Sequence, residues 1–205
     1  MKLFDLTHTF DDSMPVYPGD PASKISFLNN MAGAGYSVSQ ITTGMHTGTH
    51  IDGPLHVIEG GMPLSEMPVE SFIGRGVLID ARSKKSIDSD LLADVPLRKK
   101  DIVLVLTGCS AVFRAPSYYS DYPLVTARFA EALVKAGVNM LGLDTPGPDG
   151  SPFAIHRLLL AAQVLIIENL TNLETLLDIP EFEVFALPTR FRAEAAPARV
   201  IARGF

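Results

Sequence analysis

Four apolar runs punctuate the middle of the chain: "GVLIDA" from residue 76, "DIVLVLTG" from 101, "NMLGLD" from 139 and "QVLIIENL" from 163. Their apolar stretches do not alternate with polar residues, so each reads as a strand covered on both faces. Helical signatures lie between them. "PLVTARFAEALVKAGV" is amphipathic, with Thr126 placed to cap its start and Gly137 to stop it. "SPFAIHRLLLAA" offers Ser151 as a cap and Pro152 as first helical residue. "DSDLLADVPL" suggests a helix capped by Asp88 or Ser89, and Pro68 to Phe72 a short one. The ends are strand and loop material: "KLFDLTHTF", "KISFL" and "YSVSQITTGMHT" at the front, "EVFALPTRF" and "ARVIARGF" at the back. The expectation is an α/β fold with a mixed, not purely parallel, sheet, in one domain over residues 1–205.

A chain of 205 residues that is 47% hydrophobic and 20% charged can build a substantial core. Its net charge of −6, with no basic cluster longer than Lys84-Lys85 or Lys99-Lys100, argues against a nucleic-acid or anionic-membrane partner. No apolar run approaches the roughly 20 residues of a membrane span. The opening "MKLFDLTHTFDD" carries acids early and does not read as a secretory signal. One cysteine, Cys109, excludes an intramolecular disulfide, and together these features predict a cytoplasmic protein. Cys109 follows an apolar strand and reads as an inert thiol. A cysteine-dependent hydrolase is the competing possibility, which thiol blockers would reveal.

The chemistry concentrates in "HTGTHIDGPLH", residues 46–56, which holds three of the five histidines. Thr47, Thr49 and Ile51 are β-branched, Gly48 and Gly53 are flexible and Pro54 breaks a ladder, so the stretch is a poor helix. Extended backbone puts His46, Gly48, His50 and Asp52 on one face. A straight strand separates positions i and i+4 by about 13 Å, so a bend at Gly48 is expected where two imidazoles converge on one ion. His46, His50 and Asp52 form a sensible ligand set for zinc or manganese with open positions. His56, beyond Pro54, is either a fourth ligand or an uncoordinated acid/base. His8, alone in its segment, reads as a surface or satisfied core histidine.

Two residues further along could complete a site. His156 sits in apolar "AIHRLLLAA", where an unpaired imidazole is costly. Glu168 ends the apolar strand "VLIIE", either at a solvent-exposed strand end or bound to something. With them, a two-metal site bridged by carboxylates is possible.

The motif "HTGTHIDGPLH", with "VYPGDP", "GLDTPGPDGSPFAIHRLLLAAQVLIIENL" and "FALPTRFRAEAAPARVIA", resembles the cyclase-type metal-dependent hydrolases, best known from bacterial kynurenine formamidases. The resemblance runs over nearly the whole chain. It implies a swivelling β/β/α fold, commonly dimeric, with His46, His50 and Asp52 on one metal. It implies a second metal on His156, with Asp52 and Glu168 shared between the ions. His56 becomes the proton donor and acceptor. Tyr17 takes a place where formamidases carry Trp or Phe to stack on the substrate ring, and Gly53 stands where Ala is frequent. One or two divalent ions are implied, zinc ahead of manganese. The implied reaction is hydrolysis of a small aromatic amide, N-formylkynurenine to kynurenine and formate, by a homodimer or higher homo-oligomer. Hydrolysis of a cyclic or other aryl amide, as with isatin, is the alternative on the same centre. A non-catalytic metal-binding protein, with His56 closing the coordination, belongs to a different class.

Overall fold

The computed structural model describes all 205 residues. In chain order the strands are β1 (Lys2–Asp5), β2 (Lys24–Asn29), β3 (Val38–Thr42), β4 (His50–Asp52), β5 (Ile73–Asp80), β6 (Ser86–Ile87), β7 (Ile102–Leu106), β8 (Leu124–Val125), β9 (Met140–Leu143), β10 (Leu165–Glu168), β11 (Phe182–Pro188) and β12 (Ala195–Gly204). The α-helices are α1 (Met31–Ala34), α2 (Ala127–Ala136) and α3 (Ala154–Ala161).

The main sheet runs β1-β12-β11-β5-β7-β9-β10-β4, and β4 pairs again with β12. The first three residues of β12 face β4 and the rest face β11, so the sheet curls round and closes on itself. The four apolar runs form its parallel half, β5-β7-β9-β10, and the terminal strands and β4 its antiparallel half. This is the mixed-sheet α/β fold expected from the sequence. Ile102 through Leu106 are almost completely buried, and one contiguous apolar core extends from Phe4 to Ala202.

α2 follows its sequence signals closely. The Thr126 Oγ1 accepts from Phe129 N at 3.3 Å, and Gly137, at φ +70°, donates to Leu133 O and Val134 O. Phe129, Ala130 and Leu133 are buried in the main apolar core.

Other expectations need correction. α3 starts at Ala154, not at Pro152, and Ser151 does not cap it. The Asp149 carboxylate takes that role, accepting from Ile155 N at 2.7 Å, with Phe153 at φ +60° turning the chain into the helix. The segments at Asp88 and Pro68 make single 3₁₀ turns, Ser89–Leu92 and Val69–Phe72, too short to continue as α-helices. Asp88 does cap the first, its carboxylate accepting from Ser89 N. β2 and β3 form a separate hairpin that pairs with nothing else.

Candidate metal centre and active-site pocket

The predicted bend is present. Gly48 has φ +66°, a left-handed conformation that glycine adopts without a Cβ penalty, and residues 45–49 turn before β4 begins at His50. The turn brings His46 back over β4, where its Nδ1 lies 2.9 Å from Asp52 Oδ1. His50 and Asp52 share one face of β4, with His50 Nε2 3.4 Å from Asp52 Oδ1.

Strand pairing delivers the carboxylate from β10. Glu168 is opposite His50 in that ladder, and its Oε2 lies 3.3 Å from His50 Nε2. Glu168 is buried, so the solvent-exposed strand end held open by the sequence does not occur. His156, on the first turn of α3, places Nε2 3.1 Å from Glu168 Oε1 and 3.8 Å from Asp52 Oδ2. Its Nδ1 meets Asp149 Oδ1 at 2.5 Å. A side chain at Gly147 would put its Cβ 2.8 Å from Glu168 Oε1 and push that carboxylate out of place.

The donors are aimed at common points rather than at one another. His50 Nε2 and both oxygens of Asp52 are buried and make no hydrogen bond despite neighbours within 4 Å. Leaving such atoms unpaired is costly unless something else binds them. The separations of 3.3 and 3.4 Å around His50 Nε2 match the roughly 3.3–3.4 Å between ligand atoms around a tetrahedral ion at about 2.0–2.1 Å. Imidazoles and carboxylates are donors suited to a divalent cation, so the residues fit one. Two overlapping sets appear, His46–Asp52–His56 and His50–Asp52–Glu168, with ligand atoms within 4.8 Å of each other and Asp52 common to both.

The electrostatics have the same sign. Burial alone would lower the His50 pKa, but the facing Asp52 and Glu168 carboxylates outweigh it and hold it at about 10. His156 behaves alike, burial being overcome by Asp149 and Glu168, which lift it to about 10. Burial would raise Asp52, yet His46 and His50 bring it well below the usual carboxylate range. The cluster favours positive charge between its carboxylates. His56 differs: burial lowers its pKa, and Asp52 offsets this only in part. Its ring centroid is 4.3 Å from that of His46 and 5.7 Å from that of His156.

His46, Asp52, His56, His156 and Glu168 floor a cavity of about 190 Å³, below the roughly 300–1,000 Å³ of sites for drug-sized ligands. Its walls include Tyr17, Tyr119 and Phe153, with Asp20 among the lining residues. Tyr17, partly exposed, meets Tyr119 edge-on with centroids 5.8 Å apart. A wider groove of about 690 Å³ beside Pro54 and Leu160 contains only Glu66 and Arg192 as charged groups and offers no comparable constellation.

His46, His50, Asp52, His56, His156, Glu168 and Tyr17 thus gather at one place. His8 does not join them; it stacks on Phe113 at 3.8 Å with Nε2 unpaired. Cys109 is half-buried, and burial raises its thiol pKa, which does not suit a nucleophile. Sequence reasoning missed Asp149, Tyr119, Phe153, Asn169 and Glu194, whose Oε1 is 3.6 Å from His46 Nε2. Asp149 had a signal, an acid in a Pro/Gly turn just before a helix; the others depend on long-range pairing.

Comparison with known proteins identifies the family. The chain belongs to the cyclase family, which it matches over residues 4–150. The kynurenine formamidase of Erythrobacter litoralis is 31% identical over 211 residues, covering 98% of this chain and 94% of that protein. A solved structure from Bacillus stearothermophilus, described as a predicted metal-dependent hydrolase, superposes with a TM-score of 0.78 at 31% identity, covering 98% and 97% of the two chains. Isatin hydrolase A from Ralstonia solanacearum shares the fold, with a TM-score of 0.86 at 24% identity over 98% of this chain and 91% of that one.

Proposed function

We propose that this chain is an arylformamidase, hydrolysing the formyl C–N bond of N-formylkynurenine to give kynurenine and formate. The observation that carries the reading is the convergence of His46, Asp52, His156 and Glu168 on the floor of a small pocket with aromatic walls, with His50 buried against Asp52 and Glu168. The similarity to named kynurenine formamidases supports the substrate class. Those five residues would hold one or two divalent ions, with zinc the proposed metal.

A divalent cation held there supplies Lewis acidity, bringing the pKa of water toward neutrality and favouring negative charge on the carbonyl oxygen. The chain's own groups do the rest. Tyr17 and Tyr119 hold the aryl ring at the mouth and direct its formyl group inward. His56, kept neutral by burial, takes a proton from the attacking water and returns it to the amine nitrogen as the C–N bond breaks. Oxygen from water ends in formate, and the proton ends on the arylamine.

The reading includes a cytoplasmic homo-oligomer. The β2–β3 hairpin exposes Phe27, Met31, Tyr36 and Ile41, and residues 25–45 contain no charged side chain that would repel a second copy. Light scattering after gel filtration measures the mass.

The deciding experiment strips the protein of metal, restores zinc or manganese, and measures turnover of N-formylkynurenine, isatin and simple aryl formamides. Zinc-dependent preference for N-formylkynurenine supports the assignment. Preference for isatin moves it to the cyclic-amide alternative, and no turnover of any amide leaves a binding protein.

A further inference from the structure

We propose that Asn169 and Tyr118 are positioning residues that fix the tautomer and aim of His50, so that its Nε2 is presented as a metal-binding lone pair. This rests on the metal-centre reading above. His50 Nδ1 faces the carbonyl oxygen of Gly48 at 2.8 Å. A carbonyl only accepts, so Nδ1 carries a proton, and Nε2 is the atom buried without a partner between Asp52 and Glu168, where a bound cation takes the place of its proton.

That arrangement is only as firm as the Gly48 carbonyl. The carbonyl belongs to the turn that the left-handed Gly48 creates, where nothing in a strand ladder holds it. Asn169 supplies the restraint: its Nδ2 donates to Gly48 O at 3.0 Å, so both acceptor sites of the carbonyl are used. The Asn169 amide is oriented in turn by Tyr118, whose hydroxyl donates to Asn169 Oδ1 at 2.8 Å. Tyr118 is fully buried and Asn169 nearly so, which excludes water as a competing partner.

The backbone of Asn169 is specialised for this role. It has φ +57°, a left-handed conformation that asparagine tolerates better than most residues. Its N donates to Thr145 O at 3.0 Å, and its carbonyl accepts from Thr49 Oγ1 at 2.6 Å. One residue past Glu168, the chain leaves β10, turns its side chain across to the turn before β4 and so ties the carboxylate strand to it. The order Tyr118–Asn169–Gly48–His50 spans three separate segments, and each link has one allowed donor direction.

The test uses wild type, Tyr118→Phe, Asn169→Gly and His50→Ala. Glycine removes the amide while accepting the left-handed backbone. Each protein is stripped of metal, and zinc affinity is measured by competition with a chromophoric chelator. Zinc-loaded, histidine-¹⁵N-labelled samples give long-range ¹H–¹⁵N spectra, which distinguish a protonated Nδ1 from a coordinated Nε2. Asn169→Gly is expected to bind zinc about 10–100-fold more weakly, in the range usual for lost outer-shell partners. Tyr118→Phe should shift affinity the same way by less. Both should move the His50 Nδ1 signal while those of His46 and His156 stay.

A merely structural role would lower the melting temperature with zinc affinity and the His50 signal unchanged, and that result overturns the proposal. Should Asn169→Gly fail to fold, Tyr118→Phe decides by the same two readouts, since it removes a single oxygen from a buried ring. His50→Ala separates the two readings. Wild-type zinc affinity in His50→Ala refutes the metal centre itself. Zinc loss there with none in Asn169→Gly refutes only the positioning role.

Discussion

Glu168 lies directly opposite His50 in the antiparallel ladder of β10 and β4, its Oε2 3.3 Å from His50 Nε2, and Asp52 lies two residues along the same strand. Two buried carboxylates are thereby held together, with only imidazoles to balance them. Removing metal should therefore destabilise the fold. Thermal unfolding of chelated protein, titrated with zinc at fixed pH, is the measurement. At about 100 times the dissociation constant, zinc should add about 2.7 kcal/mol. A melting temperature indifferent to zinc would contradict the proposed ligand set.

His56 and Asp52 should fail in different ways. His56→Ala is expected to retain metal while kcat falls by about 10²–10⁴, the usual worth of a positioned acid–base group. Asp52→Ala should lose metal, because Asp52 is the carboxylate common to both donor sets. Elemental analysis of the two purified variants checks this. Equal metal loss would make His56 a ligand, as its place beside His46 and Asp52 permits geometrically.

What the sequence disclosed and what it withheld follow from the range of the forces involved. The spacing of His46, His50 and Asp52 was legible because β-branched residues, Gly48 and Pro54 exclude a helix locally. The parallel strands were legible because burial on both faces leaves an unbroken apolar run. Thr126 and Gly137 marked α2 because capping is a local bond. The start of α3 was misread because Ser151 and Pro152 carry the same local signal, whereas the cap comes from Asp149, further back. The closure of β12 onto β4, and the reach of Asn169 to Gly48, arise from pairing between residues over a hundred positions apart, for which a single sequence holds no pattern.

Tyr17 should contribute to substrate binding and not to metal binding. It stands at the pocket mouth in edge contact with Tyr119, and no ligand residue lies within its own loop. Aromatic contacts of this kind are worth about 0.5–1.5 kcal/mol beyond area burial. Tyr17→Ala should therefore raise KM for the best aryl substrate by about two- to tenfold, with zinc affinity unchanged, while Tyr17→Phe stays near wild type. Kinetics of both variants with that substrate test the assignment, and an unaltered KM in Tyr17→Ala removes Tyr17 from the site.

His8 makes the acid stability of the protein partly its own. Burial, aided by the charge of Arg114, lowers its pKa from 6.5 to about 4, and the ring stacks on Phe113 with Nε2 enclosed and unpaired. The folded state therefore holds His8 neutral at a pH where the unfolded chain has already protonated it. Above pH 6.5 both states are neutral at this position and it imposes no pH dependence. As pH falls from 6.5 toward 4 the unfolded state binds the extra proton, so stability declines over that interval and levels off below it. The ring is only partly buried, and solvent screening keeps the effect below what the full shift would give. His8→Gln removes the titration while also losing the stack. It should be less stable than wild type at pH 7.5, and the gap should narrow toward pH 4. Urea unfolding of both proteins, zinc-loaded wherever zinc stays bound, measures the difference at each pH. A gap that stays constant from pH 7.5 to pH 4 would show that His8 is protonated equally in both states.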